Sequence, residues 1–270
     1  MDFTLSPEHQ GVQEKARRVA REVADQAATL ERQGRFPAEI LEVYRREGLF
    51  GLALPKDYGG AGLDYQAYVL AQMELAQACT ASSLIVHVNH TLFGLGLLQF
   101  GDEDQRRRFL PPAATGQVLT CFALTEPGAG SDPSALATVA EKKGETWYLS
   151  GVKNFVTMGD RARYGLIAAK TDPALGAKGI SVFMVDLEEA ANLSKGPVEE
   201  KMGVKGAVSV SLKFHDTPVP PGCLLGGLNQ GLKVALAVLD GARVGAAAQA
   251  VGLGRAVLRH ALEYARRREQ

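Results

Sequence analysis

The sequence predicts a multidomain α+β protein, with an N-terminal helical bundle, a middle β-barrel or sandwich, and the start of a C-terminal helical bundle that is truncated. Three observations predict this. Apolar residues recur at helical spacing through the first part of the chain, the spacing falls to about two residues from Val118 onward, and a helical pattern returns from Asn229 to the end. The expected domains are therefore residues 1–117 (all-α), 118–223 (β) and 224–270 (first helical segment of an incomplete α domain).

Composition narrows the function classes. A chain of 270 residues with 46% hydrophobic content can bury a large core. Thirty basic residues balance thirty acidic ones, so no net field draws the protein to nucleic acid or to an anionic membrane. Cys79, Cys121 and Cys223 are far apart, without a C-x-x-C pair, which suggests neither a disulfide framework nor a zinc site and fits a reducing compartment. The N-terminus, MDFTLSPEHQ, carries acids where a secretory signal carries bases, and no apolar stretch reads as a membrane span, so a cytoplasmic location is expected.

Along the chain, Ser6 before Pro7 marks a helix N-cap, with Glu8 facing the positive end of the helix dipole. Val12, Ala16, Val19, Val23 and Ala27 give that helix its apolar stripe. A second helix starts at Pro37, carries Ile40, Leu41 and Tyr44, and ends at Gly48. The run LALPKDYGGAGL lacks the G-K-[ST] of a phosphate loop and reads as a connecting turn. Two further helices are expected over Tyr65–Ala78 and Ser82–Phe100, the second almost wholly apolar and central; its His87 and His90 read as core or pocket histidines rather than metal ligands. Asp102 caps a fifth helix that Pro111, Pro112 and Gly116 close.

In the middle domain, Trp147–Leu149, Tyr164–Ala169 and Ile180–Val185 read as short strands, and Val208, Val210, Leu212 and Phe214 alternate with polar residues as a half-buried one. PVPPGCLLGG then leads to a long helix marked by Val234, Leu236, Leu239, Val244 and Val251.

The stretch richest in chemistry is Cys121–Thr157. Phe122, Ala123 and Leu124 form a short apolar strand, then Thr125, Glu126, Ser131 and Asp132 stand among Pro127, Gly128 and Gly130, so hydroxyls and bare N–H groups can meet a flat ligand. A positive φ is expected at Gly130, where a β-branched side chain would also fill the approach space. Neither Gly128-Ala-Gly130 nor Gly252-Leu-Gly254 sits between a strand and a helix with an acid about twenty residues on, which disfavours a nicotinamide site.

The run ALTEPGAGSDPSA, followed by G-x-K-x-F-V-T at residues 151–157, resembles the signature of the acyl-CoA dehydrogenase family, and LDGARVGAAAQAVGLGRAVLRHALEYARRREQ resembles the helix that opens its C-terminal four-helix domain. The resemblance covers the whole chain but about two thirds of a family member. It implies FAD-dependent oxidation of an acyl-CoA thioester to the trans-2-enoyl-CoA, with an electron-transferring flavoprotein as acceptor and a homo-oligomer (dimer or tetramer) or a hetero-oligomer as the assembly.

By similarity, Phe122, Ala123, Leu124, Thr125, Gly130 and Ser131 line the flavin together with Phe155, Val156 and Thr157, and no His or Cys is placed for covalent attachment. Ser131, Asp240 and Arg243 correspond to positions that contact substrate, and Leu84, Val88 and Leu92 to positions lining the acyl-tail pocket. The alternative for Ser131 is a turn serine, for Asp240 and Arg243 an intrahelical ion pair, and for the three apolar residues a plain core stripe. The catalytic residue is unknown: the family base is a glutamate from the remainder of the C-terminal domain, or in some branches the residue before the helix arginine, here Ala242. Glu126 is the carboxylate inside the flavin motif, but relatives do not use it as base. The competing reading is a non-catalytic flavin- or CoA-binding chain, or one half of a two-chain dehydrogenase; an oxidase of the same fold stays open as well.

Overall fold

The structure, a computed structural model, describes residues 4–270; residues 1–3, including the Asp2 that contributes to the acidic N-terminus, lie outside the described residues. Helix α1 (Pro7–Gln33) begins where the Ser6 hydroxyl accepts a hydrogen bond from the His9 amide and stops at left-handed Gly34. Ala16, Val19, Val23, Ala27 and Leu30 form its buried face. Helix α2 (Ala38–Arg46) buries Ile40, Leu41 and Tyr44, and α3 (Tyr65–Ala78) is capped by the Asp64 carboxylate.

The central apolar helix is not uniform. It runs as α4 (Thr80–His87), a π-helical stretch (Val88–Leu95) and α5 (Gly96–Phe100). A π-stretch rotates the faces of the turns that follow it, and such stretches are often found beside functional sites. Tyr68 of α3 stacks on His90 at 4.1 Å and its hydroxyl meets His87 Nδ1 at 2.7 Å, while His90 Nε2 accepts the Ala53 amide at 3.0 Å. Both histidines are thus satisfied core groups. Helix α6 (Glu103–Ala114) has a full capping box from Asp102 and Gln105. Pro111 and Pro112 lie inside its last turns rather than ending it, and Thr115 follows as the cap.

Eight strands follow: β1 (Thr120–Ala123), β2 (Val139–Lys143), β3 (Thr146–Thr157), β4 (Tyr164–Lys170), β5 (Ile180–Asp186), β6 (Leu193–Val198), β7 (Ser209–Val219) and β8 (Leu224–Leu225). The sheet order is β6-β7-β3-β2-β4-β5-β8, and β1 pairs parallel to β4. Only Val139 and Lys170 join β2 to β4, so the sheet bends there into two halves. Trp147 of β3 meets Phe183 of β5 at 5.4 Å, closing the halves face to face over a shared core. The short strand expected at 147–149 runs on through Thr157 as β3, because Gly151 continues the ladder with β7 instead of turning. Polar β2 and β6 escaped the alternation pattern, their burial being slight.

Helix α7 (Gly231–Arg267) packs along α3 and α4. Its buried face reads Val234, Ala235, Val238, Ala242, Gly245, Ala248, Gln249, Gly252 and Ala256. Leu236, Val244 and Val251, three of the apolar residues that marked this helix in the sequence, point outward. Small residues face inward because the helices approach so closely that a Cβ on Gly252 would lie 2.2 Å from the Met73 carbonyl oxygen. The expectation that no apolar stretch reads as a membrane span is corrected: Thr80–Phe100 and Gly231–Arg267 are both long and apolar enough to cross a membrane. The first is 78% buried, which marks it as a core helix.

Candidate functional site

The glycine loop leaves β1 at Leu124 and folds tightly, with reciprocal backbone hydrogen bonds between Glu126 and Ala129. It lies against β3, where the Asn154 amide donates to the Thr125 carbonyl at 2.8 Å. At that point β3 carries a bulge: Lys153 pairs with Leu212 and Val156 with Val210, leaving Asn154 and Phe155 opposite a single residue of β7. Phe155 takes a left-handed backbone (φ 56°) and is 62% exposed. Such a conformation costs a bulky residue about 1–3 kcal/mol. Exposing a large ring adds a hydrophobic cost, so both penalties fall on one residue beside the loop. Bulges of this kind re-aim side chains next to functional sites.

Two residues quoted in the motifs, with no structural role assigned by sequence, hold this arrangement. Lys153 is fully buried, and its Nζ donates to Glu126 Oε1 at 2.6 Å and to the Leu124 carbonyl at 3.2 Å. Glu126 also accepts from the amides of Ala137 and Thr138. Burial alone would raise the Glu126 carboxyl, but the Lys153 ammonium and the Ala137 amide outweigh it and hold the group below its usual range. Burial pushes the Lys153 ammonium down to about 8 against the pull of Glu126. The period of two placed Lys153 on the same face as buried Leu149, and that was the available signal. Glu126 is therefore a tether for the loop and has no free lone pair aimed at solvent chemistry.

The residues present fit a flat aromatic cofactor. Gly130, like Gly128, has nothing within 4 Å of where a Cβ would stand, so the loop leaves open space at both glycines. The expected positive φ at Gly130 is not found; its contribution is room, not backbone conformation. Gly130 and Ser131 are exposed, and Phe122, Leu124, Thr125 and Thr157 are half-buried. Ala123 and Val156 are 1% exposed and point into the core, which leaves only their backbone to face a ligand.

Of the other residues singled out, Val88 is buried, whereas Leu84 and Leu92 are half-buried against the core. The π-stretch, which contains Val88 and Leu92, touches both β1 and α7. Asn89 stitches it to the sheet: its Oδ1 accepts from Thr120 N at 2.7 Å, and its Nδ2 donates to the carbonyls of Ala113 and Val118. No sequence pattern marked this residue. Asp240 and Arg243 form an exposed ion pair within α7, and Ala242 is 7% exposed at the helix interface. Among the described residues no cluster of His, Cys, Asp and Glu is set to hold a metal ion.

Three domain families match in succession: acyl-CoA dehydrogenase N-terminal domain over residues 6–117, middle domain over 121–217 and C-terminal domain over 229–270. A subunit of the caffeyl-CoA reductase–Etf complex of Acetobacterium woodii is 38% identical over 94% of the chain and 68% of its own length. The chain belongs to the acyl-CoA dehydrogenase family. The human mitochondrial short-chain specific acyl-CoA dehydrogenase is 37% identical over 90% of this chain. Among solved structures, butyryl-CoA dehydrogenase from Megasphaera elsdenii superposes with a TM-score of 0.96 at 33% identity, covering 100% of this chain and 72% of that one. This family member spans 58% of the length of the human relative. The matched part comprises the N-terminal domain, the middle domain and the beginning of the C-terminal domain of the family.

Proposed function

We propose that this chain is the flavin-carrying portion of an FAD-dependent acyl-CoA dehydrogenase that converts a short acyl-CoA thioester to its trans-2-enoyl-CoA. The observation that carries the proposal is Phe155, an exposed aromatic on a left-handed bulge beside an open glycine loop. Short acyl chains are proposed on the likeness to the short-chain human enzyme. Bound flavin supplies the acceptor for the hydride that leaves the β-carbon. In this reading the chain's own residues do the seating: Phe155 covers one face, the loop amides around Gly130 and Ser131 and the Thr125 hydroxyl meet the polar edge, and Ser131, Asp240 and Arg243 meet the CoA thioester. Leu84, Val88 and Leu92 lie along the acyl tail. An electron-transferring flavoprotein is proposed as the onward acceptor, on the likeness to the Etf-complex subunit, with a homo- or hetero-oligomeric assembly in the cytoplasm.

The α-proton is a different matter. Glu126 is committed to Lys153 and two amides, and the base position of some branches is Ala242. A second reading is therefore supported by a specific feature: α7 exposes Val244, Val251 and Leu258 at 47–60% along one flank, as a helix does when further helices cover it. In that case the base arrives with the covering helices, and this chain acts as one half of a two-chain enzyme. Turnover of butyryl-CoA with an artificial electron acceptor, measured for the 270-residue chain alone and after addition of a protein that carries the covering helices, separates the readings. The two-chain reading expects turnover only in the mixture; steady turnover by the chain alone would require a base within it, Glu126 or another carboxylate, and would contradict both.

A further inference from the structure

The Glu126–Lys153 pair is placed where three segments meet. Glu126 sits in the glycine loop, Ala137 and Thr138 lead into β2, and Lys153 is the last regular residue of β3 before the bulge. One carboxylate gathers donors from the second and third segments, and Lys153 Nζ returns to the first through the Leu124 carbonyl. Side-chain exposure of the two partners is 0% and 5%. Removing two charges from water carries a desolvation penalty that well-packed apolar residues would avoid, so a buried pair is weak support for stability and is better explained by the geometry it fixes.

That geometry is the bulge. Strand side chains alternate with a period of two, so β3 running on in regular register with β7 would turn Phe155 from the open side of the loop to the opposite face. The register is instead broken directly after Lys153, and the freed Asn154 amide is caught by Thr125, whose neighbours on either side, Leu124 and Glu126, are the two residues that Lys153 holds. The loop and the bulge are thus locked to each other through Lys153 from one side and through Asn154 from the other.

We propose that Lys153 and Glu126 are positioning residues, a buried clamp that holds the glycine loop and the Phe155 bulge in the flavin-accepting arrangement before any ligand arrives. This rests on the flavin reading given above, and adds that the seat is preformed and that its preformation depends on these two side chains. Neither residue touches the cofactor; both act through the backbone of residues 124–126 and 154–155.

The test compares the wild-type chain with Lys153→Met combined with Glu126→Gln, a double change that leaves no lone buried charge and keeps an amide group near the Ala137 and Thr138 amides. Two readouts are taken, the FAD dissociation constant by flavin fluorescence and residue-level amide hydrogen exchange in the absence of FAD. The double variant should fold with wild-type far-UV circular dichroism, bind FAD at least about tenfold more weakly, the equivalent of one lost interaction or more, and exchange faster at residues 125–130 and 154–156 than at β4 and β5. Unchanged affinity and unchanged exchange in those segments would overturn the clamp, as would faster exchange spread evenly over the sheet, which marks a merely structural pair. Should the double variant fail to fold, Glu126→Asp, which keeps a carboxylate opposite Lys153 but shortens its reach to the Ala137 and Thr138 amides, carries the same two readouts. If the wild type takes up no FAD, the flavin reading fails, while the exchange comparison still decides whether the pair sets the loop and bulge.

Discussion

Phe155 concentrates the account into one side chain. A left-handed backbone and 62% exposure are two costs at one position, and neither is recovered inside the chain. Phe155→Gly should therefore have opposite effects on the two measurable properties. Glycine accepts the left-handed region without steric cost, so the unfolding free energy should hold or rise within about 1 kcal/mol. FAD binding should weaken by roughly tenfold or more, since an aromatic stacking contact is worth about 0.5–1.5 kcal/mol beyond its buried area. Denaturant melts and a flavin titration on the same sample check both directions.

The buried histidines set a pH dependence of known sign. Burial pushes His87 to about 4, and burial followed by the nearby His87 pushes His90 to about 3, from an ordinary value near 6.5. Protons therefore bind the unfolded chain first as the pH falls. The stability linked to these groups is complete above about pH 6.5 and is lost progressively from there toward pH 4 and 3. Thermal midpoints measured between pH 7.5 and 4.5 should fall for the wild type. His90→Gln, which keeps an acceptor for the Ala53 amide, should flatten that slope while lowering the midpoint at neutral pH.

At the scale of elements, two glycines separate a site from an architecture. A Cβ on Gly130 meets nothing within 4 Å, and one on Gly252 would lie 2.2 Å from the Met73 carbonyl oxygen. Gly130→Val should thus leave the melting curve nearly unchanged and reduce FAD affinity. Gly252→Val should push α7 off α3 and cost about 1–3 kcal/mol or more, as overpacking does. Equal destabilisation by the two substitutions would mean that the glycine loop is packed rather than open.

The helices and the long strands were legible because their signals are local. Ser6-Pro7, Asp102 and the alternation from Val208 each name an element without help from the rest of the chain. The bulge was not legible, because it depends on the pairing of β3 with β7 across more than fifty residues. Nor were the Lys153–Glu126 clamp and the Asn89 staple, each made by partners distant in sequence. The outward turn of Val244 and Val251 on α7 escaped for a related reason: apolar content marks a helix as amphipathic, but the face that packs is decided by how close its neighbours come, and here only Gly and Ala fit. The motif residues themselves, from Phe122 to Thr157, were identified by resemblance, and the structure adds which of them face outward.

For the molecule as a whole, α7 has an open end: every residue beyond Ala256 is exposed. Its exposed apolar residues run from Leu236 to Tyr264, a patch of the kind that draws partners or dyes in solution. The folded chain should bind an anilinonaphthalene sulfonate dye, and Val251→Glu with Leu258→Glu should lower that fluorescence without loss of helical signal. A chain that carries the flavin seat without a positioned base should also be catalytically silent by itself, since loss of such a base costs on the order of 10²–10⁴ in rate. The flavin seat is tested by titration of the purified 270-residue chain with FAD, followed through flavin absorbance and fluorescence. Saturable one-to-one binding with a perturbed flavin spectrum, lost on Phe155→Gly, is expected; a folded chain that leaves the spectrum of free FAD unchanged at all concentrations would rule the seat out.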